Sequence, residues 1–248
     1  MKTPILYIGA PGIGKTAIIN SRYEYVRVLL LSSCVEEDIA GIPYREGDLE
    51  KRTVPKFIED LRNSKASNKC LFLDELDKAR REVADTILSL VTSPELFDLP
   101  NGVEIIAAAN PPEWGGGDGI SQPMQSRFSV INFEPSIIDW SHYMLRTYPN
   151  NRIVQMTLRD IQTGKVPLLE SNGEGYNWRL SCPRTWEMAI KATTQKNNND
   201  DIEKIIMGLL TPNCASALIS HLLPDKDNRI QEVARTIGSE KIIQPIRL

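Results

Sequence analysis

The chain has 248 residues, which at roughly 150 residues per domain is room for one or two domains whose core needs no disulfides. Hydrophobic residues make up 41% and charged residues 25%, and 32 acids against 29 bases leave a formal charge of -3, which excludes a disordered chain and a wholesale basic surface. That balance gives no electrostatic reason to expect nucleic acid, although it does not forbid a local basic patch.

Along the chain, Pro4 to Ile8 is apolar, Gly9 to Gly14 must turn, and Lys15 to Tyr25 continues as a short helix. Val26 to Leu31, rich in Val and Leu and ending at Ser32-Ser33, reads as a buried parallel strand. Lys69 to Leu73, Val103 to Ala109 and Phe128 to Phe133 repeat that pattern. Between them, Pro55 to Asn63 carries Phe57, Ile58 and Leu61 at helical spacing, and Arg81 to Val91 places Val83, Ile87, Leu88 and Val91 on one face. Strands alternating with helices predict an α/β fold with a five-stranded parallel sheet, whose ligands sit beyond the carboxyl ends of its strands.

After Pro135 helical patterns dominate: Ile137 to Thr147, Arg152 to Thr163, Arg184 to Thr194, Ile202 to Leu210 and Ala215 to Leu222. The expected division is residues 1–135 for the sheet domain and 136–248 for a small helical domain, with Pro167 to Ser181 and Lys196 to Asp201 as surface loops. Cys34, Cys70, Cys182 and Cys214 form no C-x-x-C pair and read as buried thiols of a cytoplasmic protein. No apolar run approaches about 18 residues, so no membrane span is expected.

Gly9-Ala10-Pro11-Gly12-Ile13-Gly14-Lys15-Thr16 fits G-x-x-x-x-G-K-[ST], with a strand before it and a helix after it. Such a loop turns consecutive N–H groups and a helix N-terminus toward phosphate oxygens. Lys15 adds charge for the β- and γ-phosphates, and the Thr16 hydroxyl is suited to Mg²⁺, which together point to ATP with Mg²⁺. Cys70 to Glu75 is an apolar strand ending in two carboxylates. Asp74 is assigned to the metal and Glu75 to polarising a water for attack on the γ-phosphate; a helix-capping acidic turn is the structural alternative.

With these residues in place the chain resembles an AAA+ ATPase, and specifically the MoxR-like branch, across nearly its whole length. The resemblance implies a P-loop core followed by a helical lid. It makes Asn110, at the end of Ile105-Ile106-Ala107-Ala108-Ala109-Asn110-Pro111, the sensor 1 residue that orients the attacking water, against the plain reading that it opens the turn before Pro111. Arg127, in Gln125-Ser126-Arg127-Phe128, matches the arginine finger that reaches a neighbouring subunit's nucleotide, and Arg184, in Cys182-Pro183-Arg184-Thr185, matches sensor 2 at the start of a lid helix. For both, an exposed arginine in an ordinary surface role is the competing reading. The family further implies a homo-oligomeric, usually hexameric, ring and a partner carrying a von Willebrand factor A domain. Tyr44 to Thr53 is expected to project as a hairpin that could grip a client, with a solvated loop as the competing reading for its individual residues. The family usually has a helical segment ahead of the first strand that helps enclose adenine, whereas Met1 lies only eight residues ahead of Gly9; either the sequence begins late or the lid around Pro183 and Trp186 completes the base pocket. A nucleic-acid motor or loader, a slow nucleotide-dependent switch and a small P-loop kinase are the competing functions.

Overall fold

The computed structural model describes residues 3–114, 119–172, 178–194 and 199–222. They form two compact units, one ending at Glu134 and the other beginning at Pro135.

In the first unit the chain runs β1 (Ile5–Ile8), α1 (Lys15–Arg22), β2 (Tyr25–Leu30), α2 (Glu36–Ala40), β3 (Pro43–Glu46), β4 (Leu49–Arg52), α3 (Lys56–Asn63), β5 (Lys69–Asp74), α4 (Arg81–Thr92), β6 (Glu104–Ala109), α5 (Gln122–Gln125) and β7 (Ser129–Asn132). Short 3₁₀ turns occupy Leu76–Lys78, Pro94–Phe97 and Pro112–Trp114. Five strands pair in the order β2-β5-β6-β1-β7, all parallel, with Ile5 opposite Ile106 on one side and Ser129 on the other. The expected parallel sheet is therefore present, and its apolar runs are unbroken because helices cover both faces. Leu6, Leu71, Leu73, Ile105 and Ala107 pack with Ile39, Phe57, Ile58, Leu61 and Ile87 on one side, while Tyr7, Cys70, Phe72, Ile106 and Ala108 meet Ile19 on the other.

The helix after the phosphate loop is short, as the lead of Arg22 to Tyr25 into the second strand implies: α1 stops at Arg22 and Tyr23 is already extended. α2, not anticipated, fills the link from β2 to the hairpin and buries Ile39. β3 and β4 pair antiparallel as the projecting hairpin, and every residue of both strands is exposed.

The second unit contains α6 (Ile137–Thr147), α7 (Arg152–Gln162), β8 (Glu170–Asn172), β9 (Arg179–Ser181), α8 (Pro183–Thr193), α9 (Asn199–Leu209) and α10 (Pro212–Leu222). Side-chain caps start two of its helices: Ser136 Oγ accepts from Asp139 N, and Asn151 Oδ1 accepts from Ile153 N and Val154 N. Pro183 opens α8, where its missing N–H costs nothing. The helices close over Trp140, Met144, Val154, Leu158, Trp186, Ile190, Ile206 and Leu218.

Two expectations fail here. Pro167 to Ser181 is not simply a loop, because β8 and β9 pair from Glu170↔Ser181 to Asn172↔Arg179, with residues 173–177 outside the described set. A buried polar clamp holds that ribbon: Thr211 N donates to Ser181 Oγ at 3.0 Å, the two hydroxyls lie 3.0 Å apart, and the Thr211 hydroxyl also donates to Glu170. The expected loop at Lys196 to Asp201 is helical from Asn199 onward, and residues 196–198 lie outside the described set. All four cysteines are free and buried. Among the described residues no helix is long and apolar enough to cross a membrane.

Candidate functional site

The carboxyl ends of β1, β5 and β6 lie side by side in the sheet, and the sequence places its chemistry there. The phosphate loop leaves β1 with Gly9 N donating to Ala109 O of β6 at 3.2 Å. A Cβ at Gly9 would sit 2.3 Å from Phe133 O, so only glycine lets the loop pass this close to the chain beyond β7. Gly14 enters α1 at φ 104°, in the left-handed region, and no side chain caps the helix. Its first-turn N–H groups are thus left to an outside acceptor, which is what a phosphate supplies.

Lys15 curls over this cradle. Its Nζ donates to Gly9 O at 2.6 Å, to Ala10 O at 3.0 Å and to Asn110 Oδ1 at 2.8 Å. The Thr16 hydroxyl faces Asp74 Oδ2 at 3.5 Å, and Asp74 Oδ1 accepts from Glu75 N at 3.0 Å. A hydroxyl and a carboxylate converging beside a phosphate cradle make the oxygen-only donor set that Mg²⁺ takes, so the residues fit that ion. Burial pushes the Asp74 carboxyl above its ordinary value, and the charge of Glu75 adds to this, against the Glu75 N–H bond and the positive Lys15.

Glu75 is left-handed (φ 57°, ψ 44°) although it carries a side chain, a conformation that costs about 1 kcal/mol or more. That twist takes its carboxylate off the line of β5. Ser32, just beyond β2, hydrogen-bonds to it, and Lys78 Nζ reaches Oε1 at 3.1 Å; these bonds hold the carboxyl below its usual pKa, the Ser32 bond contributing most and burial opposing. Asp77 accepts the Asn110 N–H on Oδ1 at 3.0 Å.

Gly9 through Thr16, Asp74, Glu75 and Asn110 therefore gather at one set of strand ends, joined through Lys15 and Asp74. Arg127 lies elsewhere on the first unit, exposed, with its Nε donating to Thr92 Oγ1 at the end of α4 at 3.2 Å. Arg184 is exposed on the first turn of α8 in the second unit. Trp186 is 0% exposed in that unit's core, so its ring has no free face for a base and the lid wall expected there is not formed by it.

Sequence reasoning gave Ser32 no part in the site, and took Asp77 and Lys78 only as grounds for a helix-capping acidic turn. Ser32 was legible in principle, since it follows β2 and the strand pairing with β2 ends in the acidic pair. The other two follow from the left-handed turn at Glu75, which no local pattern announces.

Comparison with known proteins bears on the same region. Among solved structures the chain resembles the Thermotoga maritima RuvB Holliday junction branch migration motor at 14% identity and a TM-score of 0.48, over 96% of this chain and 75% of that one. Two single-substitution variants of that RuvB align at 14% identity and a TM-score of 0.49, with the same coverage of each chain. Residues 5–135 match the model of the ATPase family associated with various cellular activities (AAA). Because that stretch runs from β1 to just past β7, more than half of the chain and the whole sheet that carries the cluster, the chain belongs to the AAA family of ATPases.

Proposed function

We propose that this chain is a MoxR-like AAA+ ATPase that works in the cytoplasm, binds and hydrolyses ATP with Mg²⁺ in a homo-oligomeric, hexamer-sized ring, and uses the cycle to remodel or activate a partner protein. The observation that carries the reading is the meeting of Lys15 with Asn110 at 2.8 Å beside the facing pair Thr16 and Asp74, since residues of three motifs far apart in sequence converge on one uncapped helix N-terminus. The loop N–H groups and Lys15 would hold the β- and γ-phosphates, and Thr16 and Asp74 would hold the metal. A Mg²⁺ ion bound there would offset negative charge on the phosphate oxygens. Glu75, released from Ser32 and Lys78, accepts a hydrogen bond from a water and takes its proton as that water, oriented by Asn110, bonds to the γ-phosphorus; the bond from that phosphorus to the β–γ bridging oxygen breaks, and ADP and inorganic phosphate leave. Arg127 is assigned to the γ-phosphate of the adjacent subunit and Arg184 to closure of the lid. The exposed β3–β4 hairpin, with Tyr44 and Leu49 at its surface, is assigned to contact with the partner, of which a von Willebrand factor A domain protein is the class the resemblance implies.

Phosphate release measured with Mg²⁺ and ATP, with and without a candidate partner, tests this directly, alongside light scattering for assembly. Turnover that needs Lys15, in particles several times the mass of one chain, supports the proposal. Tight ATP binding with no release under any condition would replace it with a slow nucleotide-dependent switch.

A further inference from the structure

Asp77 sits in the 3₁₀ turn just after the acidic pair and is only 7% exposed. Oδ1 accepts the Asn110 N–H at 3.0 Å, whereas Oδ2 has no hydrogen-bond partner among the described residues. A buried carboxylate with one oxygen unsatisfied burdens the fold, and its other oxygen is the acceptor that the Asn110 N–H would lose to an apolar replacement. What the residue accomplishes is long-range: it ties the end of β6 to the turn after β5, across 33 positions of sequence. The main chain held in this way is the one from which the Asn110 amide reaches Lys15 Nζ at 2.8 Å.

We propose that Asp77 is a positioning residue of the phosphate site, whose carboxylate fixes the strand end bearing Asn110 so that the Asn110 amide stays at the mouth of the phosphate loop beside Lys15. Its consequence for turnover rests on the ATPase reading, but the anchoring does not. The bond needs an acceptor oxygen rather than a charge. Asparagine at this position keeps that oxygen and puts an amide nitrogen where Oδ2 is unpaired, while alanine supplies neither.

The test compares the full chain with its Asp77→Asn, Asp77→Ala, Asn110→Ala and doubly alanine-substituted forms, with Asp77→Leu held ready should Asp77→Ala fail to fold. Without nucleotide, hydrogen exchange at the Asn110 amide is expected to quicken about 10-fold or more in Asp77→Ala and to stay near wild type in Asp77→Asn. In phosphate release, Asp77→Ala is expected to lower kcat by about 10-fold or more with KM for ATP within about 2-fold, Asp77→Asn to recover most of that loss, and the double variant to match Asn110→Ala within about 2-fold. Unchanged exchange at Asn110 in Asp77→Ala would overturn the proposal, and so would a kcat loss that adds in full to that of Asn110→Ala, as a purely structural role requires. A wild type that releases no phosphate at all would sink the ATPase reading instead, and the exchange measurement would still decide the anchor.

Discussion

Glu75→Gln separates two effects that differ by orders of magnitude. The carboxylate pairs with Lys78 at 3.1 Å, with the lysine side chain 40% and the glutamate 31% exposed. An ion pair this open is worth about 0.2–1 kcal/mol, and glutamine retains an oxygen for Ser32, so the fold should lose no more than that. With a urea slope of about 2 kcal/mol/M, the unfolding midpoint then moves by less than ~0.5 M. The assigned role on water has a different scale, since a general base contributes about 10²- to 10⁴-fold in rate. That is a barrier change of about 3–5 kcal/mol. Acid adds a second check. The bond from Ser32, ahead of that from Lys78, lowers the folded pKa of Glu75 below its ordinary 4.5. A depressed carboxylate pKa stabilises the fold above the unfolded value and ceases to do so as the pH falls through the folded value. The small advantage of wild type over Glu75→Gln should therefore be complete at pH 7 and vanish in strong acid, below that ordinary value. Phosphate release at pH 7, with urea unfolding there and in acid, measures both. Equal turnover by the two proteins would refute the assignment, as would a turnover loss accompanied by several kcal/mol of lost stability.

Lys15→Ala removes the donor shared by Gly9, Ala10 and Asn110, and should weaken ATP binding by about 10- to 100-fold, the worth of a charge-assisted bond; unchanged affinity by calorimetry would contradict this. Gly9→Ala drives a Cβ to 2.3 Å from Phe133 O and 2.8 Å from Ile13 Cδ1, so the chain must shift at a cost of about 1–3 kcal/mol in urea unfolding, and wild-type stability would show that the loop has room the structure denies. Arg127→Ala should leave stability within ~0.5 kcal/mol, because the side chain is exposed, yet lower turnover on the order of 10³-fold or more. Mixing Arg127→Ala with Glu75→Gln subunits should restore some activity by pairing an intact arginine with an intact glutamate; co-assembled mixtures that stay inactive at every ratio would remove Arg127 from the site.

The strands of the sheet were legible because each packs on both faces, which writes an uninterrupted apolar run such as Cys70 to Leu73 into the chain. The hairpin of β8 and β9 was not, since Gly173 and Gly175 signal a turn while the reason for pairing, Ser181 against Thr211, comes from 30 residues away. The phosphate loop, acidic pair and Asn110 could be read because each has a fixed spacing within one strand–loop connection. Ser32, Lys78 and Asp77 have no such spacing; their partners are set by which strands are neighbours and by one left-handed residue. Trp186 shows the opposite error, where nearness to Arg184 in sequence suggested a binding surface and the ring is instead packed away.

The position of β1 between β6 and β7 has a consequence for biosynthesis. Its partners, Ile106 and Ser129, lie more than 100 residues beyond Ile5, so the strand leaves the ribosome long before either neighbour exists. At a synthesis rate of about 5–20 residues per second it waits for several seconds as an apolar segment with both edges open, a target for holding chaperones and for mispairing. Until β6 and β7 arrive, the phosphate loop has no frame, so nucleotide cannot assist the early stages of folding. Nascent chains released before β7 should fail to bind ATP even though they already carry the whole loop.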